Sequence, residues 1–254
     1  MRLIESFKIA FSMYSSIPMP YADWNKQNMK YAICFFPLVG IPIGLLQWFW
    51  SWISKTASIG VVLSAVVFTL IPFFITGGIH MDGFCDTVDA LSSHQTTERK
   101  LEILKDSHTG AFAIMGCVVY FLFCFALWSE LQFDTTVILI LGVGYVLSRS
   151  LSGFSVVGFR CAKNSGLLAS FSETAQKRNV KIAMGILIVI CMTAMLLLDI
   201  CLGFAAIVAA YLTFFYYRVM SYRQFGGTTG DLAGYFLQIC EISMLGAIVI
   251  AQKC

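Results

Sequence analysis

Residues 180–198 read VKIAMGILIVICMTAMLLL and residues 202–217 read LGFAAIVAAYLTFFYY, with Asp199 between the two runs. Lys181 is the one charged side chain in either run. A helix needs about 20 mostly apolar residues to cross roughly 30 Å of hydrocarbon, and in lipid it satisfies every backbone N–H and C=O within its own segment. The pair therefore reads as a transmembrane hairpin in which Asp199 breaks the helix. Working outward, five more runs qualify: 31–54, 59–75, 111–128, 135–157 and 232–250. The expected fold is all-α, a polytopic helix bundle of seven spans, with 59–75 and 202–217 near the short limit.

Composition agrees. The chain has 254 residues, 58% hydrophobic and 12% charged, with a mean hydropathy of +0.80. A soluble domain of this length carries about 60 charged residues, whereas this one has 17 basic and 14 acidic. Too little polar material remains to cover a water-facing surface. Abundant aromatics and only 5 prolines exclude disorder, and a net charge of +3 is too small for nucleic-acid binding. Nine cysteines are scattered without a Cys-x-x-Cys pair and read as small apolar residues. The first ten residues carry Arg2, Glu5 and Lys8, so no cleavable signal is expected.

Basic residues orient the bundle, because Lys and Arg in short loops stay on the cytoplasmic side. Fourteen of the 17 lie in the N-terminal arm and in the loops after the second, fourth and sixth runs; Lys55 and Lys253 lie opposite, and Arg149 is inside a run. An N-in, C-out arrangement follows. The chain is expected to form one transmembrane catalytic domain over 1–254, with a cytoplasmic lead-in at 1–30, an Asp-rich cytoplasmic loop at 76–110 and a Gly-rich cytoplasmic loop at 218–231.

The stretch 76–110 holds all three histidines and six of the 14 acids. Within Gly77-Gly78-Ile79-His80-Met81-Asp82-Gly83-Phe84-Cys85-Asp86-Thr87-Val88-Asp89, three aspartates stand at i, i+4 and i+7, one face of a helix. Like charges so close call for a cation, and Mg²⁺ takes oxygen ligands while bridging to phosphates. A solvated acidic face is the plainer alternative. His80 is read as a general base, a phosphate donor or a simple turn cap. Beyond it, Lys105 is a candidate phosphate contact, Asp106 a fourth metal ligand and Ser107 a hydrogen-bond donor, while His94 and His108 read as ordinary loop residues.

A second polar run, Arg223-Gln224-Phe225-Gly226-Gly227-Thr228-Thr229-Gly230-Asp231, precedes the last span. Glycines and threonines ahead of a helix suit an anion at its N-terminus; Asp231 reads alternatively as a plain N-cap. In the spans, Arg149 and Glu241 are costly charges. Arg149 is a candidate for substrate phosphate, and Glu241 a candidate partner for it.

These strings, with Ser148-Arg149, Ile17-Pro18-Met19-Pro20 and Phe36-Pro37-Leu38-Val39-Gly40, resemble the cobalamin 5′-phosphate synthase family, adenosylcobinamide-GDP ribazoletransferase, over nearly the whole chain. Ala90, Phe112 and Ala113 depart from it where more glycine is expected. The resemblance implies a Mg²⁺-dependent enzyme of a bacterial or archaeal cytoplasmic membrane, with its active site facing the cytoplasm. It would join adenosylcobinamide-GDP to α-ribazole or its 5′-phosphate, releasing GMP. Asp82, Asp86 and Asp89, with Asp106, would hold Mg²⁺; His80 or an aspartate such as Asp82 would take the hydroxyl proton; Lys105, Ser107, Arg149, Gly226, Gly227 and Asp231 would position phosphate. The expected partners are these substrates and the lipid bilayer, with a homo-oligomer left open. Two other classes compete. A CDP-alcohol phosphotransferase has an Ala-Arg shortly after its Asp-Gly, which Phe84-Cys85 does not supply, and an ion transporter would keep its acids near the midplane.

Overall fold

A computed structural model describes residues 2–106, 108–132, 134–162 and 167–253; for residues 2, 167–169 and 172 only the backbone is described. The described chain is helical: α1 (Arg2–Tyr14), α2 (Lys26–Met29), α3 (Ala32–Phe35), α4 (Gly40–Thr56), α5 (Val61–Thr76), α6 (Ile79–Ser92), α7 (Thr97–Ile103), α8 (Ala111–Glu130), α9 (Thr135–Gly158), α10 (Leu167–Thr174), α11 (Lys177–Leu198), α12 (Ile200–Phe225) and α13 (Gly230–Ala251). A 3₁₀ turn at Phe36–Val39, with Pro37 in its first turn, joins α3 to α4.

All seven apolar runs are helices. Six segments are long and apolar enough to cross a membrane: Ala32–Thr56, α8, α9, α11, α12 and α13. The seventh, α5, has 16 residues and bends by 96° into α6. At 1.5 Å per residue α5 is about 24 Å long, and α6 turns away from its direction instead of extending it. Residues 76–110 are thus not one loop, since α6 and α7 occupy most of them. The sixth span is also longer than its apolar run. Asp199 does more than break the helix, because its side chain accepts from the Leu202 amide at 2.8 Å and caps a helix that continues for 26 residues to Phe225. Arg218 and Arg223 therefore lie on α12 and not in a loop. The Arg218 guanidinium stacks over the rings of Phe159 and Tyr222, at 4.9 and 4.7 Å.

Two helices form the centre. The apolar stretches of α9 and α13 are 72% and 67% buried within the protein, against 17% for α8. Small residues set the crossings, as packing between spans in lipid requires. A Cβ on Gly44 would stand 2.8 Å from Gly142 Cα, and one on Gly40 would stand 2.7 Å from the Tyr145 carbonyl, so α4 and α9 touch backbone to backbone. The lead-in docks on this frame: Ile9 of α1 is buried in a small second core with Ile33, Val156, Val180 and Met184. The eight described cysteines are free.

Candidate active site

The site begins at the bend. Gly77 and Gly78 both have positive φ, 62° and 78°, a conformation open to glycine with little strain. They end α5 and start α6 with no linker between. Ser16 holds the bend from the lead-in: its amide donates to Ile75 O at 2.8 Å and its hydroxyl donates to Phe74 O.

Downstream of the bend, Asp82, Asp86 and Asp89 lie along α6 as their spacing predicts. Between the first two, Gly83 lets α6 press against α13, since a Cβ there would stand 2.8 Å from both Cα and O of Asp231. Gly234 answers from α13, where a Cβ would lie 3.1 Å from His80 O. Asp231 is brought in this way from about 150 residues away to the same acidic group. Burial first, then the charges of Asp82, Asp231 and Asp89, push the Asp86 carboxyl up to about 7. The Asp89 carboxylate lies against Gly110, the N-cap of α8, so closely that an added Cβ would fall 2.1 Å from its Oδ1. A helix N-terminus favours an anion at that place.

Among the described residues, no three His, Cys, Asp or Glu side chains are grouped so as to hold a metal ion by themselves. Crowded hard oxygens that raise the proton affinity of Asp86 nevertheless fit Mg²⁺. That ion is commonly held by one or two carboxylates with waters and substrate phosphates, not by an all-protein cage.

His80 is 4% exposed, and neither ring nitrogen has a hydrogen-bond partner. Burial first, then the charge of Arg149, holds its pKa well below the usual histidine range, so the ring is neutral at pH 7. It is not a turn cap. It lines a cavity of about 180 Å³ together with Tyr14, Phe36, Asp82, Ser152, Val156, Asp231 and Leu237.

Several other candidates are placed elsewhere. Asp106 accepts from the His108 amide at 3.0 Å and from its ring Nδ1 at 2.7 Å, and His108 and Arg99 hold its carboxyl below the usual range. This pairing with His108 engages Asp106 Oδ1. Lys105 is exposed in the turn after α7, and Ser107 lies outside the described residues.

The Gly-rich turn is tied inward. Gly226 is the left-handed C-cap of α12, with φ 74°, and its carbonyl accepts from Arg160 Nε and Nη2 at 3.0 and 2.7 Å. The Gly227 amide donates to Ser221 O at 3.2 Å and the Thr228 amide to Arg160 O at 2.9 Å. A Cβ on Gly227 would lie 2.5 Å from Arg160 O. Gly227 admits the neighbouring 160–162 backbone, and two of the amides expected to cradle phosphate are already spent, one on Ser221 O and one on Arg160 O. The cap of α13 is Thr229, whose hydroxyl accepts from Leu232 N at 3.3 Å, and not Asp231.

Arg149 is 1% exposed in the bundle interior, where its Nη1 donates to Glu241 Oε1 at 2.7 Å and to Tyr145 O at 3.0 Å. Ser148 donates to the same Glu241 oxygen at 3.2 Å. The expected partnership with Glu241 is present; it engages the guanidinium that was a candidate for substrate phosphate.

Sequence reasoning missed the aromatic wall of the cavity. Tyr14 and Phe36 lie 4.2 Å apart between centroids, and each faces the His80 ring, at 6.3 and 5.9 Å. It also missed the roles of Gly83 and Arg160. For Gly83 a signal existed: glycine in mid-helix is unfavourable by about 0.5–1 kcal/mol relative to alanine, which points to a close approach.

A family model described as Cobalamin-5-phosphate synthase matches residues 6–249. The chain belongs to the cobalamin-5-phosphate synthase family. It is 48% identical over 252 residues to a protein of Lachnoclostridium phytofermentans named adenosylcobinamide-GDP ribazoletransferase, covering 99% of this chain and 96% of that one. Proteins of the same name from Clostridium botulinum, strain Alaska E43, and Treponema denticola are 30% and 29% identical, covering 94% and 95% of this chain and 95% and 96% of theirs. No solved structure matches. Ala90 and Ala113, where more glycine is expected, are buried, and Phe112 is 51% exposed.

Proposed function

We propose that this chain is a Mg²⁺-dependent adenosylcobinamide-GDP ribazoletransferase of the cytoplasmic membrane, acting in the last steps of cobalamin assembly with its site on the cytoplasmic side. It would join adenosylcobinamide-GDP to α-ribazole or its 5′-phosphate. A ribose hydroxyl attacks the phosphoryl group on the corrinoid side, the bond to GMP breaks, and GMP leaves. The observation that carries the chemistry is the gathering of Asp231 onto the Asp82, Asp86 and Asp89 face, beside a cavity that Asp82 and Asp231 also line. This acidic edge and the Gly-rich turn share one end of the bundle, consistent with the side chosen by the basic residues.

Bound Mg²⁺ would neutralise diphosphate charge, with Asp82, Asp86 and Asp231 as its holders on this chain and Asp89 orienting α6 against α8. His80 and Asp82, which both line the cavity, are the acceptors placed to take the hydroxyl proton.

Purified membranes given adenosylcobinamide-GDP, α-ribazole 5′-phosphate and Mg²⁺ should release GMP, and EDTA should abolish it. Release of CMP from a CDP-alcohol, or no nucleotide at all, would overturn the reading.

A further inference from the structure

We infer that the 180 Å³ cavity between α1, α6, α9 and α13 is the socket for the aromatic base of the nucleoside acceptor, whose ribose then lies at Asp82 and Asp231. This deepens the proposed function and rests on it for the identity of the nucleoside.

The cavity lining combines two chemistries. Asp82 and Asp231 belong both to its wall and to the charged group around Asp86. The rest of the lining is largely apolar, with Met13, Phe36, Ile79, Val156 and Leu237, and the Tyr14 and Phe36 rings are in contact. A ligand that carries a flat apolar ring and a hydroxylated group matches this lining. Size agrees as well, since an apolar cavity of about 150 Å³ takes up a benzene. A corrin ring is far too large, and guanine would bring several donors and acceptors to a wall that is mostly hydrocarbon.

His80 supplies the polar contact. Both its nitrogens are buried without a partner, whereas buried polar groups nearly always have one. In either protonation state an imidazole keeps at least one N–H donor. A base with one free ring nitrogen receives that donor, while its face lies against Tyr14 and Phe36, whose rings already face His80 at 6.3 and 5.9 Å.

Val156 of α9, 4% exposed, lines the cavity without belonging to the acidic group, and it carries the test. The full chain in detergent, with EDTA present, should bind α-ribazole lacking its phosphate, measured by calorimetry. Val156→Phe fills the cavity and should weaken that binding at least tenfold. In turnover it should raise KM for α-ribazole 5′-phosphate tenfold, with KM for adenosylcobinamide-GDP changed less than twofold. Should Val156→Phe not fold, Val156→Ala enlarges the space and should favour a nucleoside with a tricyclic base over α-ribazole at least fivefold relative to the parent. The inference is overturned by an absence of α-ribazole binding, by a KM shift confined to adenosylcobinamide-GDP, or by unchanged base selectivity in Val156→Ala. Intact α-ribazole binding with no GMP release would leave the socket standing and overturn the assigned reaction.

Discussion

Changing Glu241 to Gln should unfold this protein far more readily than its position remote from the acidic cluster suggests. The substitution keeps side-chain volume and removes one charge. It leaves Arg149, 1% exposed in the bundle interior, without the carboxylate that now sits 2.7 Å from its Nη1. Breaking a buried pair by deleting one partner costs about 3–5 kcal/mol, because the other charge stays desolvated. Against a total stability of about 5–15 kcal/mol, that is a large fraction. Replacing the pair together, as Arg149→Met with Glu241→Leu, removes both charges and should recover most of the loss. Thermal melts of the detergent-purified proteins would compare the parent, both single variants and the double variant. A Glu241→Gln variant as stable as the parent would refute the account of the pair. The same set settles what Arg149 does for turnover: a stable double variant that still releases GMP makes the pair structural, and a stable but inactive one returns Arg149 to the phosphate.

Four other outcomes are expected. Asp86, pushed up to about 7, must lose its proton to hold a cation, so Mg²⁺ affinity should climb as pH rises through 7 and level off above it; Asp231→Asn removes one of the like charges and should move that climb to lower pH, followed by calorimetry with Mg²⁺. Since the folded value lies above the ordinary carboxylate value of 3.8, folding favours protonated Asp86, and the metal-free protein should melt at lower temperature at pH 8 than at pH 5 in EDTA, a gap that Mg²⁺ closes. Gly83→Ala forces a methyl group to within 2.8 Å of the α13 backbone and should cost about 1–3 kcal/mol as overpacking, with GMP release falling further than stability because α6 and Asp231 move apart. Thr229→Ala should cost about 1 kcal/mol through loss of the α13 cap, measured by the same melts, whereas Asp231→Asn should leave the cap intact and act on metal affinity.

The parts of this protein legible in its sequence are those fixed by local chemistry. Long apolar runs cross lipid because nothing else satisfies their backbone there, and Asp82, Asp86 and Asp89 share a face because helix geometry puts i, i+4 and i+7 together. Arg149 and Glu241 announced themselves by the cost of charge among apolar neighbours. Tertiary structure decided the rest, because it depends on which backbones can approach. Gly83 and Gly234 bring Asp231 onto the α6 aspartates, a meeting that no spacing in the chain encodes. Gly226 and Gly227 look in sequence like a phosphate turn, and folding commits them to Arg160 and to the end of α12. Asp106 sits close to the cluster along the chain and yet pairs with His108. Packing of the lead-in also closes the wall that Tyr14 and Phe36 raise around His80. Sequence thus specified the membrane, the helices and one acidic face; contact between distant helices determined which groups face the cavity and which hold the bundle together.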